Sequence, residues 1–213
     1  MFILKSVSYV AKNHLTIIDR MSATLPACTI NWCYGYSGSG VTTLLRLLCR
    51  ELVPSDGKIC IDHQDLGLPE VHSLNSYRQC ISIFQPKQAL LPNSSLLENI
   101  AFPLFFFGDK QSQAQQKSAA LLDLFGLSSY AETIPSLCPQ AVVVQAILAR
   151  LLIVNPKVLV IDRFFSQLDQ PTQQKVAKIL NSLVPHGLTV VVGEDRALAA
   201  DVALNHLHYV KIS

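Results

Sequence analysis

A glycine-rich segment, residues 35–43, carries the side chains best suited to chemistry. It reads GYSGSGVTT, and Gly35, Gly40 and Thr42 have the spacing of a phosphate-binding loop, in which two glycines flank four residues and lysine and Ser or Thr follow. The glycines let backbone N–H groups surround a phosphate, and the lysine neutralises its outer oxygens. Val41 occupies the lysine position. The segment therefore predicts a phosphate cradle that has lost its main positive charge.

Two predicted elements flank this segment. An apolar strand, Cys28–Tyr34, leads into it, and an apolar-periodic helix, Thr42–Leu52, follows it, which is the context that a phosphate-binding loop requires. The patterns also predict strands at Phe2–Val10, Lys58–Ile61, Cys80–Phe84, Val158–Ile161 and Leu188–Val192, and helices at 111–125 and Thr172–Leu183. Buried strands that alternate with helices predict an α/β fold with a mainly parallel sheet.

Composition limits the kind of protein that this sequence can encode. Its 213 residues suffice for one sizeable α/β domain. A net charge of +2 with 15% charged residues argues against nucleic acid as a partner. The sequence has no uncharged apolar run of about 18 residues and no recognisable signal peptide. We therefore expect a cytoplasmic location.

Four further segments follow the glycine loop in a fixed order. They are a strand ending at Gln85, residues 136–152, a strand ending at Asp162 and continuing through 163–169, and TVVVGED at 189–195. With the loop, this order resembles the ATP-binding subunits of ABC transporters across essentially the whole chain. Residues 95–104 and the short length look like the subgroup that contains FtsE, LolD and MacB.

The resemblance implies one ATP-binding domain, residues 1–213. Residues 1–87 and 151–213 would form a P-loop core, with a mainly parallel sheet flanked by helices and an antiparallel N-terminal β portion. Residues 88–150, which show little β-branched alternation, would form an inserted helical subdomain.

Several catalytic elements of that family are altered in this sequence. The resemblance places the catalytic glutamate at Arg163 and the histidine that contacts the γ-phosphate at Glu194. The signature LSGGQ aligns with residues 138–142, CPQAV, where Pro139 has no N–H to donate. With Val41, these changes remove the charged groups of catalysis. The metal-side residues of the resemblance survive as Thr42, Gln85 and Asp162.

The resemblance therefore assigns binding residues but no confident catalytic ones. We expect weak or absent binding of ATP with Mg²⁺, because the charge-assisted hydrogen bond of the missing lysine contributes about 1.5–3 kcal/mol. Thr42, Gln85 and Asp162 would hold the Mg²⁺ if nucleotide binds, and Arg163 and Glu194 are degenerate catalytic positions. The candidate cofactor-binding residues are Gly35, Ser37, Gly38, Ser39, Gly40, Val41, Thr42, Thr43 and Gln85.

Arg163 and Glu194 carry opposite charges at positions that flank the γ-phosphate in the resembled fold. We hypothesise that they form an ion pair that fills the vacated site. Two alternatives stay open: each is a solvated surface charge, or Arg163 supplies the cation that Val41 removes.

We interpret the sequence as a catalytically degenerate subunit of an ABC-type complex with a structural or regulatory role. It would dock on an inner-membrane permease, peripheral on the inner face of the cell membrane, as a homodimer or with an intact ABC ATPase. The apolar segment 101–108 is either a groove for a permease helix or packing of the helical subdomain. Two other functions stay open: an active ATPase that drives transport or cell-division and envelope remodelling, and a soluble scaffold without a permease.

Overall fold

The computed structural model describes residues 1–61, 64–66, 77, 80–85, 88–198 and 202–212. Its strands form two sheets: an antiparallel sheet in the order β2-β1-β4-β5 and a parallel sheet in the order β6-β7-β8-β3-β9. The strands are β1 (Phe2–Val10), β2 (Thr16–Leu25), β3 (Ile30–Tyr34), β4 (Asp56–Ile61), β5 (Gln64–Asp65), β6 (Ile81–Phe84), β7 (Val158–Asp162), β8 (Thr189–Glu194) and β9 (Leu207–Lys211). The predicted α/β fold with an antiparallel N-terminal β portion is confirmed.

The helices differ in the part of the fold that they cover. The first, α1, packs near β8, β7 and β2, whereas α2 packs on α3 and α4, and α4 contacts β6. The helices are α1 (Val41–Leu48), α2 (Leu96–Phe106), α3 (Gln111–Leu124), α4 (Gln140–Leu152) and α5 (Gln170–Leu183). The division into a core and a helical subdomain at 88–150 stays a prediction, and its boundary at residue 87 lies outside the described residues.

Side chains alternate between two apolar cores on the faces of the parallel sheet. On β3, Trp32 joins the core that includes α2–α5, and Cys33 joins the core that includes α1 and the antiparallel sheet. On β8, Val190 and Val192 face the first core and Val191 the second. A strand that is buried on both faces reads as a continuous apolar run, which is why the sequence identified these strands.

Two predicted boundaries are wrong for the same physical reason. The strand predicted from Cys28 begins at Ile30, because Cys28 has φ 52, outside the range of a strand. The helix predicted to reach Leu52 ends at Leu48, and Arg50 has φ 56.

Strands β2 and β9 were not predicted, because half-exposed sheet-edge strands alternate weakly between apolar and polar residues.

Helix α1 approaches β8 closely at Gly193. A Cβ at this position would lie 2.6 Å from Leu45 Cδ1 and 2.8 Å from Val41 Cγ1. We therefore expect Gly193→Ala to lower the free energy of unfolding by about 1–3 kcal/mol, as measured by urea denaturation. In a Leu45→Ala background the nearest atom is absent, so the same change costs less. An equal cost in both backgrounds would contradict this contact as the cause.

Candidate functional site

The glycine loop connects the end of β3 to the start of α1 and adopts a cradle that only glycine permits at key positions. A Cβ at Gly35 would lie 2.3 Å from Ser39 Oγ and 2.5 Å from the Ile212 carbonyl oxygen. Gly38 and Gly40 have φ 92 and 96, in the left-handed region, and Gly40 is the N-cap of α1. The loop therefore ends at the N-terminus of α1, a position that favours anions.

Ser39 gives this cradle an unsatisfied donor. The Ser39 side chain is 6% exposed, and its Oγ has no hydrogen-bond partner among the described residues. Space is open beside Gly38, where a Cβ would meet nothing within 4 Å. A buried hydroxyl without a partner is costly, and a phosphate oxygen would satisfy it. The cradle therefore fits a phosphate group.

Val41 fills the lysine position with an apolar, buried side chain. It is 8% exposed and belongs to the core beneath the antiparallel sheet. It begins helix α1 and lies beside Gly193. The position that would supply charge to the outer phosphate oxygens instead stabilises the contact between α1 and β8.

Thr42 and Asp162 are brought together as the sequence predicts. The Thr42 Oγ1 donates to Asp162 Oδ1 at 3.3 Å, although the residues are 120 positions apart in the chain. Burial raises the pKa of the Asp162 carboxyl, while the Thr42 hydrogen bond and the Arg163 charge oppose this shift. Hydroxyl and carboxylate oxygens are the ligands that Mg²⁺ prefers, so this pair fits one side of a magnesium site.

Gln85 lies near Thr42 and Asp162, but its side chain forms a hydrogen bond with Glu51. Its Nε2 donates to Glu51 Oε1 at 2.8 Å, and the other Glu51 oxygen pairs with Arg46 Nε at 3.1 Å. Gln85 and Asp162 line the same small pocket. Sequence reasoning missed Glu51, because it lies outside the motifs, just beyond α1, and only the fold brings it to Gln85.

The predicted ion pair between Arg163 and Glu194 is wrong in its acidic partner. Arg163 Nη2 pairs with Asp195 Oδ1 at 3.1 Å. Glu194 Oε1 instead accepts the backbone N–H groups of Phe165 at 2.8 Å and Ser166 at 3.3 Å. Residues 194 and 195 are consecutive and cannot both face inward from one strand end, so the buried carboxylate and the exposed one take different partners.

Glu194 holds three segments of the site together. Its side chain is 5% exposed and binds the turn after β7, while its carbonyl oxygen accepts the Gly35 N–H at 3.3 Å. Burial raises the pKa of this carboxyl, and the hydrogen bonds from Ser166 and Phe165 oppose the shift. The position that would contact an outer phosphate therefore serves as a structural acceptor.

Residues 138–142 form the approach to α4 and its first turn. Pro139 is the N-cap of α4, without a side-chain cap, and the helix begins at Gln140. Cys138 Sγ donates to the Ile134 carbonyl oxygen at 3.4 Å. Proline offers no backbone N–H, and neither glycine of the pattern is present in this segment.

The described residues contain neither a membrane-spanning helix nor a three-residue metal cluster. Within the described ranges, every helix is too short or too polar to cross a lipid bilayer. In the same part of the chain, His, Cys, Asp and Glu side chains form no group of three that could hold a metal ion.

Comparison with known proteins identifies a matching family. The family model described as ABC transporter matches residues 18–166. The methionine import ATP-binding protein MetN of Desulfitobacterium hafniense (strain Y51) is 32% identical over 201 residues, covering 92% of this chain and 59% of MetN. The cell division ATP-binding protein FtsE of Bacillus subtilis (strain 168) is 28% identical over 189 residues, covering 89% of this chain and 83% of FtsE. The chain thus spans little more than half the length of the first methionine-import relative.

Solved structures share the fold. The dimeric ABC transporter cassette MJ0796 superposes with a TM-score of 0.84 at 22% identity, covering 99% of this chain and 94% of the cassette. The cbiO1 protein of Clostridium perfringens, part of the transporter complex cbiONQ, gives a TM-score of 0.81 at 17% identity, covering 92% and 78%.

Proposed function

Because the chain belongs to the ABC transporter family of ATP-binding proteins, we propose that it is the ATP-binding subunit of an ABC-type membrane complex and does not turn ATP over. The observation that carries this proposal is the buried, apolar Val41 at the lysine position of an otherwise intact cradle. Arg163, at the end of β7, supports it. A guanidinium stays protonated and cannot accept a proton from water.

The residues that remain can bind but cannot activate water. The loop amides and the Ser39 hydroxyl would hold phosphate oxygens, and Thr42 with Asp162 would hold Mg²⁺. The metal would supply charge neutralisation between phosphates. A positioned general base typically contributes about 10²–10⁴-fold to rate, and Arg163 offers none. These losses support a structural or regulatory role for the subunit.

Calorimetric titration with ATP and Mg²⁺, with phosphate release assayed alongside, tests this proposal. We expect a Kd weaker than about 10 μM and no magnesium-dependent turnover, because one charge-assisted hydrogen bond is missing. Binding tighter than that, accompanied by turnover, would establish the active ATPase instead.

A large cavity between α2 and the parallel sheet supports the permease as partner. Its volume is about 640 Å³, and its apolar lining includes Phe102, Phe106, Ile83 and Leu151. The Phe102 and Phe106 rings pack edge to face at 5.2 Å, and Phe106 is 77% exposed. An exposed aromatic lining suits the apolar face of an amphipathic helix.

The charges at the cavity restrict the helix that fits. Two cations and one carboxylate line it, Arg50, Arg150 and Glu51, which leaves a net positive charge. Arg150 donates to the Ala89 carbonyl oxygen at 3.0 Å, and burial lowers its pKa. A partly desolvated cation favours an anionic partner. We therefore assign the cavity to a cytoplasmic permease helix with apolar anchors and one acidic residue. Docking there would keep the subunit at the inner face of the membrane, with residues 88–150 as the docking subdomain.

A charge at Phe106 should abolish this docking. The protein carries an affinity tag and is purified from solubilised membranes. We expect Phe106→Asp to abolish its association with the membrane complex, because docking would desolvate a carboxylate in the cavity. The control is Leu15→Asp, at an exposed apolar residue before β2. The measurement is co-purification of a multi-span membrane protein, identified by mass spectrometry. Equal recovery of a membrane protein with both variants would show that this cavity is not the docking site, and recovery of no membrane protein with the wild type would favour a scaffold without a permease.

A further inference from the structure

Glu51 forms the centre of a side-chain network beside the Thr42–Asp162 pair. One of its carboxylate oxygens accepts from Gln85 Nε2 at 2.8 Å, and the other pairs with Arg46 Nε at 3.1 Å. The three side chains line one pocket together with Asp162, and its volume of about 10 Å³ is close to what a single water-sized ligand requires. The network therefore borders the candidate magnesium site, because Asp162 belongs to both.

The turn after α1 fixes the position of Glu51. Arg50 has φ 56, in the left-handed region, and its N–H donates to the Leu47 carbonyl oxygen at 3.1 Å. The Glu51 N–H donates to the Arg46 carbonyl oxygen at 2.9 Å. These two hydrogen bonds form a Schellman motif at the end of the helix. Glu51 is thus bonded to Arg46 through both its backbone and its side chain, which restricts where its carboxylate can lie.

The Glu51 carboxylate determines which end of the Gln85 amide is left for a ligand. A carboxylate only accepts hydrogen bonds, whereas an amide has a donor end, Nε2, and an acceptor end, Oε1. Glu51 therefore bonds the nitrogen. Among the described residues, no group donates to Gln85 Oε1. Because Mg²⁺ takes oxygen ligands, this orientation leaves for the metal the end of the amide that can bind it.

We propose that Glu51 is a positioning residue of the magnesium site, an inference that rests on the proposed nucleotide site. It orients the Gln85 amide so that the oxygen is available to Mg²⁺, and Arg46 holds it in place. Groups that orient a metal ligand typically contribute about 10- to 100-fold to metal affinity. A contact that restrained Gln85 from the metal would have the opposite effect, so removal of the carboxylate distinguishes the two roles.

Titration of ATP by calorimetry, in excess Mg²⁺ and in EDTA, tests this role. The ratio of the two affinities isolates the part of binding that depends on the metal. We expect Glu51→Ala to lower this ratio about tenfold and to leave the affinity in EDTA unchanged. Glu51→Gln keeps an acceptor oxygen and should retain most of the ratio. The control is Asp109→Ala, which removes a carboxylate that pairs with Lys117 of α3 and leaves the ratio unchanged.

A double-mutant cycle shows whether Glu51 acts through Gln85. We expect Gln85→Ala to lower the same ratio, and Glu51→Ala to have no further effect in that background, because the amide that it orients is absent. An equal effect of Glu51→Ala in both backgrounds would show that its charge acts without Gln85, which contradicts the positioning role. Thermal unfolding of each variant verifies that it is folded.

The outcomes separate this inference from the proposed function. The same titrations in a Val41→Lys background, which we expect to bind ATP more tightly, measure the ratio where wild-type binding is too weak. An unchanged or higher ratio in Glu51→Ala would overturn the inference, and so would the absence of ATP binding in both backgrounds. These results leave the membrane role to the Phe106→Asp experiment. ATP turnover by the wild type would overturn the proposed function and leave the role of Glu51 to the affinity ratio.

Discussion

We expect the Glu194→Ala variant to have a free energy of unfolding about 2–4 kcal/mol below the wild type. The Glu194 carboxylate accepts the buried N–H of Phe165 and the N–H of Ser166, and alanine leaves both donors without this acceptor. An unsatisfied buried donor costs about 1–3 kcal/mol. Urea denaturation followed by circular dichroism measures the change.

The matched variant is Glu194→Gln, which keeps an acceptor oxygen and removes the charge. Burial raises the pKa of the Glu194 carboxyl above its ordinary value of 4.5. A folded-state pKa above the unfolded one gives a contribution to stability that is fully present below pH 4.5 and is lost as the pH rises through the folded pKa. We therefore expect the stability of Glu194→Gln relative to the wild type to increase as the pH rises through this window. A constant difference would show that the carboxyl titrates alike in both states.

Restoring the lysine should recover binding without recovering turnover. We expect Val41→Lys to tighten ATP binding about ten- to hundredfold, because it returns a charge-assisted contact to the outer phosphate oxygens. Phosphate release should stay absent, because Arg163 cannot accept a proton and Pro139 has no N–H. Calorimetry and a phosphate-release assay measure the two effects.

The same substitution should cost stability. Val41 is buried against Leu45 and Gly193, so lysine loses this packing unless its stem follows the same surface. The matched control is Val41→Thr, which changes the side chain without adding positive charge. Tighter ATP binding in both variants would contradict the charge as the cause, and turnover in Val41→Lys would contradict the role of Arg163.

Most of the regular structure could be predicted, and the exceptions have clear causes. Strand β1 lies at Phe2–Val10 as predicted, because the segment is rich in the apolar β-branched and aromatic residues that favour strands. Strand β9 was missed, because an edge strand has only one neighbour and exposes part of its length. The boundaries at Cys28 and Arg50 depend on left-handed backbone conformations at non-glycine residues, which the residue types do not reveal.

The sequence by itself determined the loss at Val41. The spacing of Gly35, Gly40 and Thr42 identifies the cradle, and Val41, between Gly40 and Thr42, is read directly from the sequence. The order of residues along the chain is sufficient to identify this loop, because the strand, the glycine loop and the helix are consecutive in the sequence. The family followed from motifs in order, and the match to residues 18–166 bears it out.

Only the tertiary structure decided which groups meet at the mouth of the cradle. It pairs Arg163 with Asp195 rather than with Glu194. The Glu194 carboxylate accepts hydrogen bonds from the turn after β7, and the Gln85 side chain donates to Glu51. Parallel strands bring distant chain segments to one edge of the sheet, where side-chain direction alternates residue by residue. A shift of one position therefore separates a buried structural acceptor from an exposed ion pair, and no sequence pattern records that difference.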